Sequence, residues 1–181
     1  PHGYQINMND IIVNQMAKER EASFAYDPQL HDFLIWNMED ILSYYGQSVI
    51  PAYIPEQLEP SPHNTTATIL ADKSGVPVND LIYFDFYHAY DEKGSPLLDE
   101  DHKAKIGLSI AVSKIGTISD LIYVGKDSPD ITCIKDTSVI FGRKDTSYET
   151  FTAKFQHKDT HYLIVTEQIS LEELVKVVTS I

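Results

Sequence analysis

Residues 151–181 read FTAKFQHKDTHYLIVTEQISLEELVKVVTSI. Two strand patterns, parted by His157-Lys158-Asp159, lead into one helix pattern. Ser170 stands as the N-cap with Glu173 three residues on, which is the spacing of a capping box. Ile169 before the cap and Leu174 at the fourth helical position pair as a hydrophobic staple. Leu171, Leu174, Val175 and Val178 fall at i, i+3, i+4 and i+7, so one helix face is apolar. That face needs a surface to cover, and the strands just before it supply one. The stretch therefore predicts a C-terminal helix packed on one face of an antiparallel sheet.

Upstream, the strands continue. Residues 81–90, LIYFDFYHAY, alternate Ile82, Phe84 and Phe86 on one face with Tyr83, Asp85 and Tyr87 on the other. Residues 106–113, IGLSIAVS, form another strand, and residues 121–124 add one more. DITCIKDTSVIFGRK gives two short strands around Lys135-Asp136-Thr137. A strand at 68–71 precedes the turn at Gly75-Val76-Pro77 and Asn79-Asp80. Strands in close succession with helices only at the two ends predict an α+β fold: a curved antiparallel meander of about six to eight strands. No strand–helix alternation is present, which disfavours a doubly wound nucleotide fold.

The N-terminal part is helical in pattern. Met8, Ile11, Ile12 and Met16 share one side of residues 8–24, with Lys18, Glu19, Arg20 and Glu21 on the remainder. Tyr26-Asp27-Pro28 ends that helix. Trp36, Ile41, Leu42 and Tyr45 mark a second, starting near Asp32 or Asn37 and stopping at Gly46 as its C-cap. Residues 49–62 hold Pro51, Pro55, Pro60 and Pro62, which rules out a helix or central strand there. The chain divides into an N-terminal helical segment, 1–48, and a sheet domain, 49–181, within one compact unit of 181 residues.

Lys and Arg number 14 against 27 Asp and Glu, a formal charge of -13, so a polyanion is repelled and nucleic acid is excluded as a partner. The single cysteine, Cys133, excludes an internal disulfide and a Cys-rich zinc site, and reads as a small buried apolar side chain. No apolar run reaches the ~18 residues of a membrane span. The chain opens Pro1-His2-Gly3-Tyr4 without an initiator Met. It therefore reads as a processed product or a fragment from which an N-terminal signal or anchor was removed.

Catalytic patterns are missing. The acids Asp91, Glu92, Asp99, Glu100 and Asp101 around Gly94 come in two blocks and lack the alternate spacing of a calcium loop. His157 and His161 are four apart but sit at a strand turn without the Glu of a zinc helix; His88 is the third histidine of a minor metal-site reading. No GxSxG, GxxxxGK[ST] or GxGxxG occurs. Asn64-Thr65-Thr66 matches a glycosylation sequon, a short pattern that arises often by chance. No cofactor and no metal are expected. The candidate ligand-binding residues are Tyr83 and Tyr87 on the outward face of the aromatic strand, with Trp36.

Residues 136–181 also carry a phrase of the form Y.I.....S.EEL.K...S, here Tyr162, Ile164, Ser170, Glu172, Glu173, Leu174, Lys176 and Ser180. Upstream, Pro51, Tyr53, Ile54, Pro55 and Glu56 match a P.YLPEG phrase, with Gln57 where glycine is usual. In these two islands the chain resembles the uncharacterised extracytoplasmic C-terminal domains of Gram-positive anti-sigma-factor-like membrane proteins and sporulation lipoproteins. The acidic stretch 91–103 and the long N-terminal part depart from that pattern. The resemblance implies a curved antiparallel sheet with a C-terminal helix, a place outside the cytoplasmic membrane, and a sensory or assembly role. It implies no catalytic residues. The function expected is a non-enzymatic binding or sensory domain, tethered to the membrane through an N-terminal anchor or secreted, for a protein, peptide or lipid-like ligand. The alternative is an acidic cytoplasmic immunity or inhibitor protein that neutralises a basic partner.

Overall fold

The computed structural model describes residues 26–88, 105–116, 118, 132–134, 137–143 and 150–181. The helix expected over 8–24, the acidic loop at 91–103, the strand at 121–124 and the Cys133 side chain lie outside the described residues. The elements are β1 (His31–Asn37), α1 (Met38–Tyr45), β2 (Glu59–Pro60), a 3-10 turn (Pro62–Thr65), β3 (Thr66–Asp72), β4 (Pro77–Asn79) and β5 (Ile82–Tyr87). They continue with β6 (Ile106–Ser113), β7 (Thr132–Ile134), β8 (Thr137–Arg143), β9 (Thr150–His157), β10 (Thr160–Glu167) and α2 (Leu171–Thr179). The fold is α+β, mostly antiparallel sheet, with the C-terminal helix in place.

The strands form two sheets, where a single meander was expected. A small sheet has the order β1-β3-β4, and a large one the order β2-β5-β6-β10-β9-β8-β7. Strands β7 to β10 do meander, but β6 pairs with β10 and not with β7. The reason is hydrophobic. Leu108, Ile110, Ala111 and Val112 of β6 and Tyr162, Leu163 and Ile164 of β10 are buried on both faces of the sheet. Strands apolar on both sides belong at a sheet's centre, so these two lie side by side. Between Phe86 and Tyr87 the β5–β6 register shifts, leaving Gly107 as a bulge. A Cβ on Gly107 would collide with Leu58 and meet His88 Nε2 at 3.0 Å.

The second helix starts at the later of its two expected sites. Asn37 Oδ1 accepts from the N–H groups of Glu39 (2.8 Å) and Asp40 (3.0 Å), and Asp40 Oδ2 accepts from Asn37 N–H at 3.0 Å. This reciprocal cap fixes the start. Gly46, with φ of 69°, takes the left-handed conformation that ends the helix. Residues 31–37, ahead of the cap, pair with β3 as a strand. Ile41 and Tyr45 enter the same core as the large sheet's Phe84, Leu108, Ile110, Phe141, Tyr162 and Ile164.

α2 lies over β9 but turns further than its pattern predicted. Leu174, Val177 and Val178 are buried and Ile181 packs partly beneath them, again i, i+3, i+4 and i+7. Val175, expected on that face, is 37% exposed. The staple explains the rotation. Ile169 and Leu174 are both buried in the main core, so Leu174 opens the buried stripe. The capping box closes on one side only. Ser170 Oγ accepts from Glu173 N–H at 3.2 Å, while the Glu173 carboxylate is taken by Tyr53 and Lys176.

Candidate binding surface

β5 divides its side chains as its alternation requires. Ile82, Phe84 and Phe86 are buried against the core, and Tyr83 on the other face is 58% exposed. Tyr83, Asp85 and Tyr87 share that outer face, the two rings four residues and thus about 13 Å apart. Asp85 is pinned between them. Its carboxylate accepts from Ser109 Oγ at 2.6 Å. Its carbonyl accepts from Ser61 N–H and from Asn64 Nδ2, both at 2.8 Å, and its N–H donates to Asn64 Oδ1 at 2.9 Å. Asn64 is thus engaged on both amide atoms and half-buried, a poor acceptor for a glycan despite its sequon.

Trp36 does not join the two tyrosines. In the β1–β3 register it lies opposite Ala67, with Leu34 opposite the buried Ile69 on the same face. Its ring packs on Tyr44 at 4.7 Å between centroids and borders the main core. The structure brings Tyr83 and Tyr87 together and places Trp36 elsewhere, in the packing of α1.

A polar hub that the sequence reading took only as a turn marker sits beside Trp36. Asp80 is 1% exposed, and its carboxylate accepts from Ser113 Oγ at 2.5 Å, Lys114 N–H at 2.7 Å and Tyr44 Oη at 3.1 Å. Tyr45 Oη donates to the Asp80 carbonyl at 3.0 Å. Burial, then the nearby Asp80 charge, pushes both tyrosine hydroxyls far above their ordinary range, so they remain donors. Lys114 Nζ lies 5.2 Å from the Tyr44 ring centroid, donates to the Tyr44 carbonyl at 2.8 Å, and pairs with Asp159 at 3.0 Å. That hydrogen bond holds the Asp159 carboxyl below the usual range. The hub ties α1, the β4–β5 junction, the end of β6 and the β9–β10 turn. With its lone pairs committed to fixed donors, Asp80 is built to hold segments together and is poorly placed to take a proton from a substrate. The only signal in the sequence was Asn79-Asp80 beside a strand, which turns share.

The histidine trio of the metal reading does not assemble. His88 Nε2 lies 2.8 Å from the Glu167 carbonyl, at one end of β10. His161 is at the other end, about 20 Å away by strand rise. Among the described residues, no group of three or more His, Cys, Asp or Glu is placed to share a metal ion.

The proline-rich segment is fastened to α2. Ala52 and Tyr53 N–H groups donate to the Ser180 carbonyl (3.4 Å) and Oγ (3.0 Å). Tyr53 Oη donates to Glu173, and Lys176 Nζ bonds Glu173 at 2.7 Å, 6.0 Å from the Tyr53 ring centroid. Lys176 first and Tyr53 second hold the Glu173 carboxyl below its ordinary value. Tyr53, Glu173, Lys176 and Ser180 all belong to the two sequence islands set apart earlier, so residues far apart in the chain meet here.

No protein-family model matches the chain, and neither a curated protein nor a solved structure matches it significantly.

Proposed function

We propose that this is a non-enzymatic binding domain that works outside the cytoplasmic membrane and contacts a protein or peptide through the outer face of β5. The observation that carries the reading is the Tyr83–Asp85–Tyr87 row. Two phenol rings flank a carboxylate held by Ser109, on a residue whose backbone is held by Asn64 and on a strand whose opposite side is locked in the core. Rigid aromatic anchors on a fixed strand lose little entropy on binding, which is what an interface needs. A binding role is also favoured by the Asp80 hub, where the buried carboxylate is saturated by structural donors. The extracytoplasmic placement rests on the two islands of resemblance and on their meeting at the Tyr53–Glu173 contact.

A photo-crosslinking residue at Tyr83 in the native host tests this. A discrete adduct is expected at 83 and not at the exposed Thr65, and Tyr87→Ala should weaken capture. An anchor of this kind is worth about 2 kcal/mol, roughly 30-fold in Kd. Equal labelling at both positions, or none, would sink the reading. Labelling of intact cells with a membrane-impermeant amine reagent tests the compartment separately.

The charge of -13 favours a second reading, an acidic inhibitor of a basic partner. Association that slows steeply with salt, to a partner in the cytoplasm, would select it.

A further inference from the structure

The carboxylate in the β5 row is short of partners. Asp85 Oδ1 accepts from the Ser109 hydroxyl at 2.6 Å. Among the described residues nothing donates to Oδ2, yet that atom is not sealed from water. Three other carboxylates carry a cation: Asp32 has Lys73 at 2.6 Å, Asp159 has Lys114 at 3.0 Å and Glu173 has Lys176 at 2.7 Å. Among the described residues no lysine, arginine or histidine lies within ion-pair distance of Asp85. Asp85 is half-buried, where a charge without a counter-charge is costlier than at the open surface. It cannot turn away, because Asn64 holds its N–H at 2.9 Å and its carbonyl at 2.8 Å. Across the register stand small side chains, Ser109 opposite Asp85 and Ala111 opposite Tyr83, which do not overhang the row.

We infer that this row is a socket for one arginine side chain of the partner protein, an inference that rests on the β5 reading and names the chemistry of that site. The guanidinium donates to Asp85 Oδ2 while its flat face lies along the ring of Tyr83, which is 58% exposed. Strand residues two apart stand about 7 Å from each other, so a cation bonded to Asp85 comes within the ~6 Å reach of a neighbouring phenol face. Arginine fits this better than lysine. A planar guanidinium serves carboxylate and ring at once, whereas an ammonium is a strongly hydrated point charge. The charge of -13 draws a cation toward the molecule, and Asp85 fixes where it stops.

The test titrates the full chain, labelled with nitrogen-15, with the peptide acetyl-Gly-Arg-Gly-amide and with its lysine and citrulline counterparts. The arginine peptide should give saturable amide shifts centred on residues 83–87 and 109, the lysine peptide weaker ones, and the neutral citrulline peptide none. Asp85→Asn, which keeps an oxygen for Ser109, should weaken arginine binding about tenfold, and Tyr83→Ala severalfold. Glu172→Gln removes the same charge from an exposed helix position and should change nothing. Shifts spread over the acidic surface, equal response to citrulline or lysine, or equal loss in Asp85→Asn and Glu172→Gln would each overturn the inference. If the peptide fails while the crosslinked adduct at Tyr83 persists, the arginine socket falls and the β5 reading stands. If the adduct is missing as well, both fall.

Discussion

Strand β5 of the large sheet and strand β1 of the small one are both short, aromatic and alternating, yet they dispose of their side chains differently. On β5, Phe84 is 1% exposed and the residues turned outward are tyrosines and an aspartate. On β1, the residues turned outward are Phe33 and Ile35, and the inward Leu34 and Trp36 only border the core. Even the outer face of the large sheet is dry at its centre, where Ile118 lies on Ala111 and Leu163 and where Thr152 is buried. One sheet is thus closed on both sides around its central strands, and the other is closed on one. What separates them is the neighbourhood: β5 has β6 beside it and a helical layer behind it, whereas among the described strands β1 pairs with β3 alone.

The sharpest way to break this comparison is a matched pair. Phe84→Ala should lower stability by about 3–5 kcal/mol, the cost of a cavity in a core that cannot collapse. Phe33→Ala should stay within about 1 kcal/mol, as at a peripheral site. Urea midpoints at one pH measure both, and equal losses would make β1 a core strand. Next in size is the hub that joins the large sheet to α1. Asp80→Ala should cost about 3 kcal/mol, because it leaves the buried Ser113 hydroxyl and the Lys114 N–H without their acceptor. A loss below about 1 kcal/mol would show that water replaces the carboxylate and that the hub is open.

A smaller effect, of opposite sign, probes the outer face of the large sheet. Thr152 Oγ1 is buried there without a hydrogen-bond partner among the described residues. Thr152→Val, of like shape, should raise stability by about 0.5–1 kcal/mol. No gain would mean that water reaches this face, and the contrast with β1 would narrow. The smallest effect concerns the latch between Tyr53 and α2. Glu173 titrates below its ordinary value, so its contribution is complete above that value and fades as pH falls through the folded one. Glu173→Gln should flatten the fall in the urea midpoint as pH drops below the ordinary glutamate value of 4.5. An unchanged acid limb would show that the contact is too well solvated to matter.

Much of the fold is legible in local pattern. The capped start of α2, the Gly46 stop, the Ile106–Ser113 strand and the alternation of β5 all follow from residue type at short spacing. The binding candidates were legible in part. Tyr83 and Tyr87 share a face because period two is a backbone property. Trp36 was grouped with them by composition, and only the β1–β3 register shows that it faces the packing of α1. Asp80 carried no local mark, since its donors come from positions more than thirty residues away on either side.

The sequence by itself determined the capped start of α2, the Gly46 stop, the strands β5, β6, β9 and β10 and which side of β5 is apolar, because these depend on dihedral preference, capping and periodicity within a few residues; residues 31–37, read as part of a helical segment, are a strand. The tertiary structure decided that the strands divide into two sheets, that β6 chooses β10, that α2 rotates to bury Val177, and that Asp80 becomes a hub. Each of those depends on which apolar surfaces, distant in the chain, compete to leave water together. That competition is settled by the whole set of surfaces at once and leaves no trace in any single stretch.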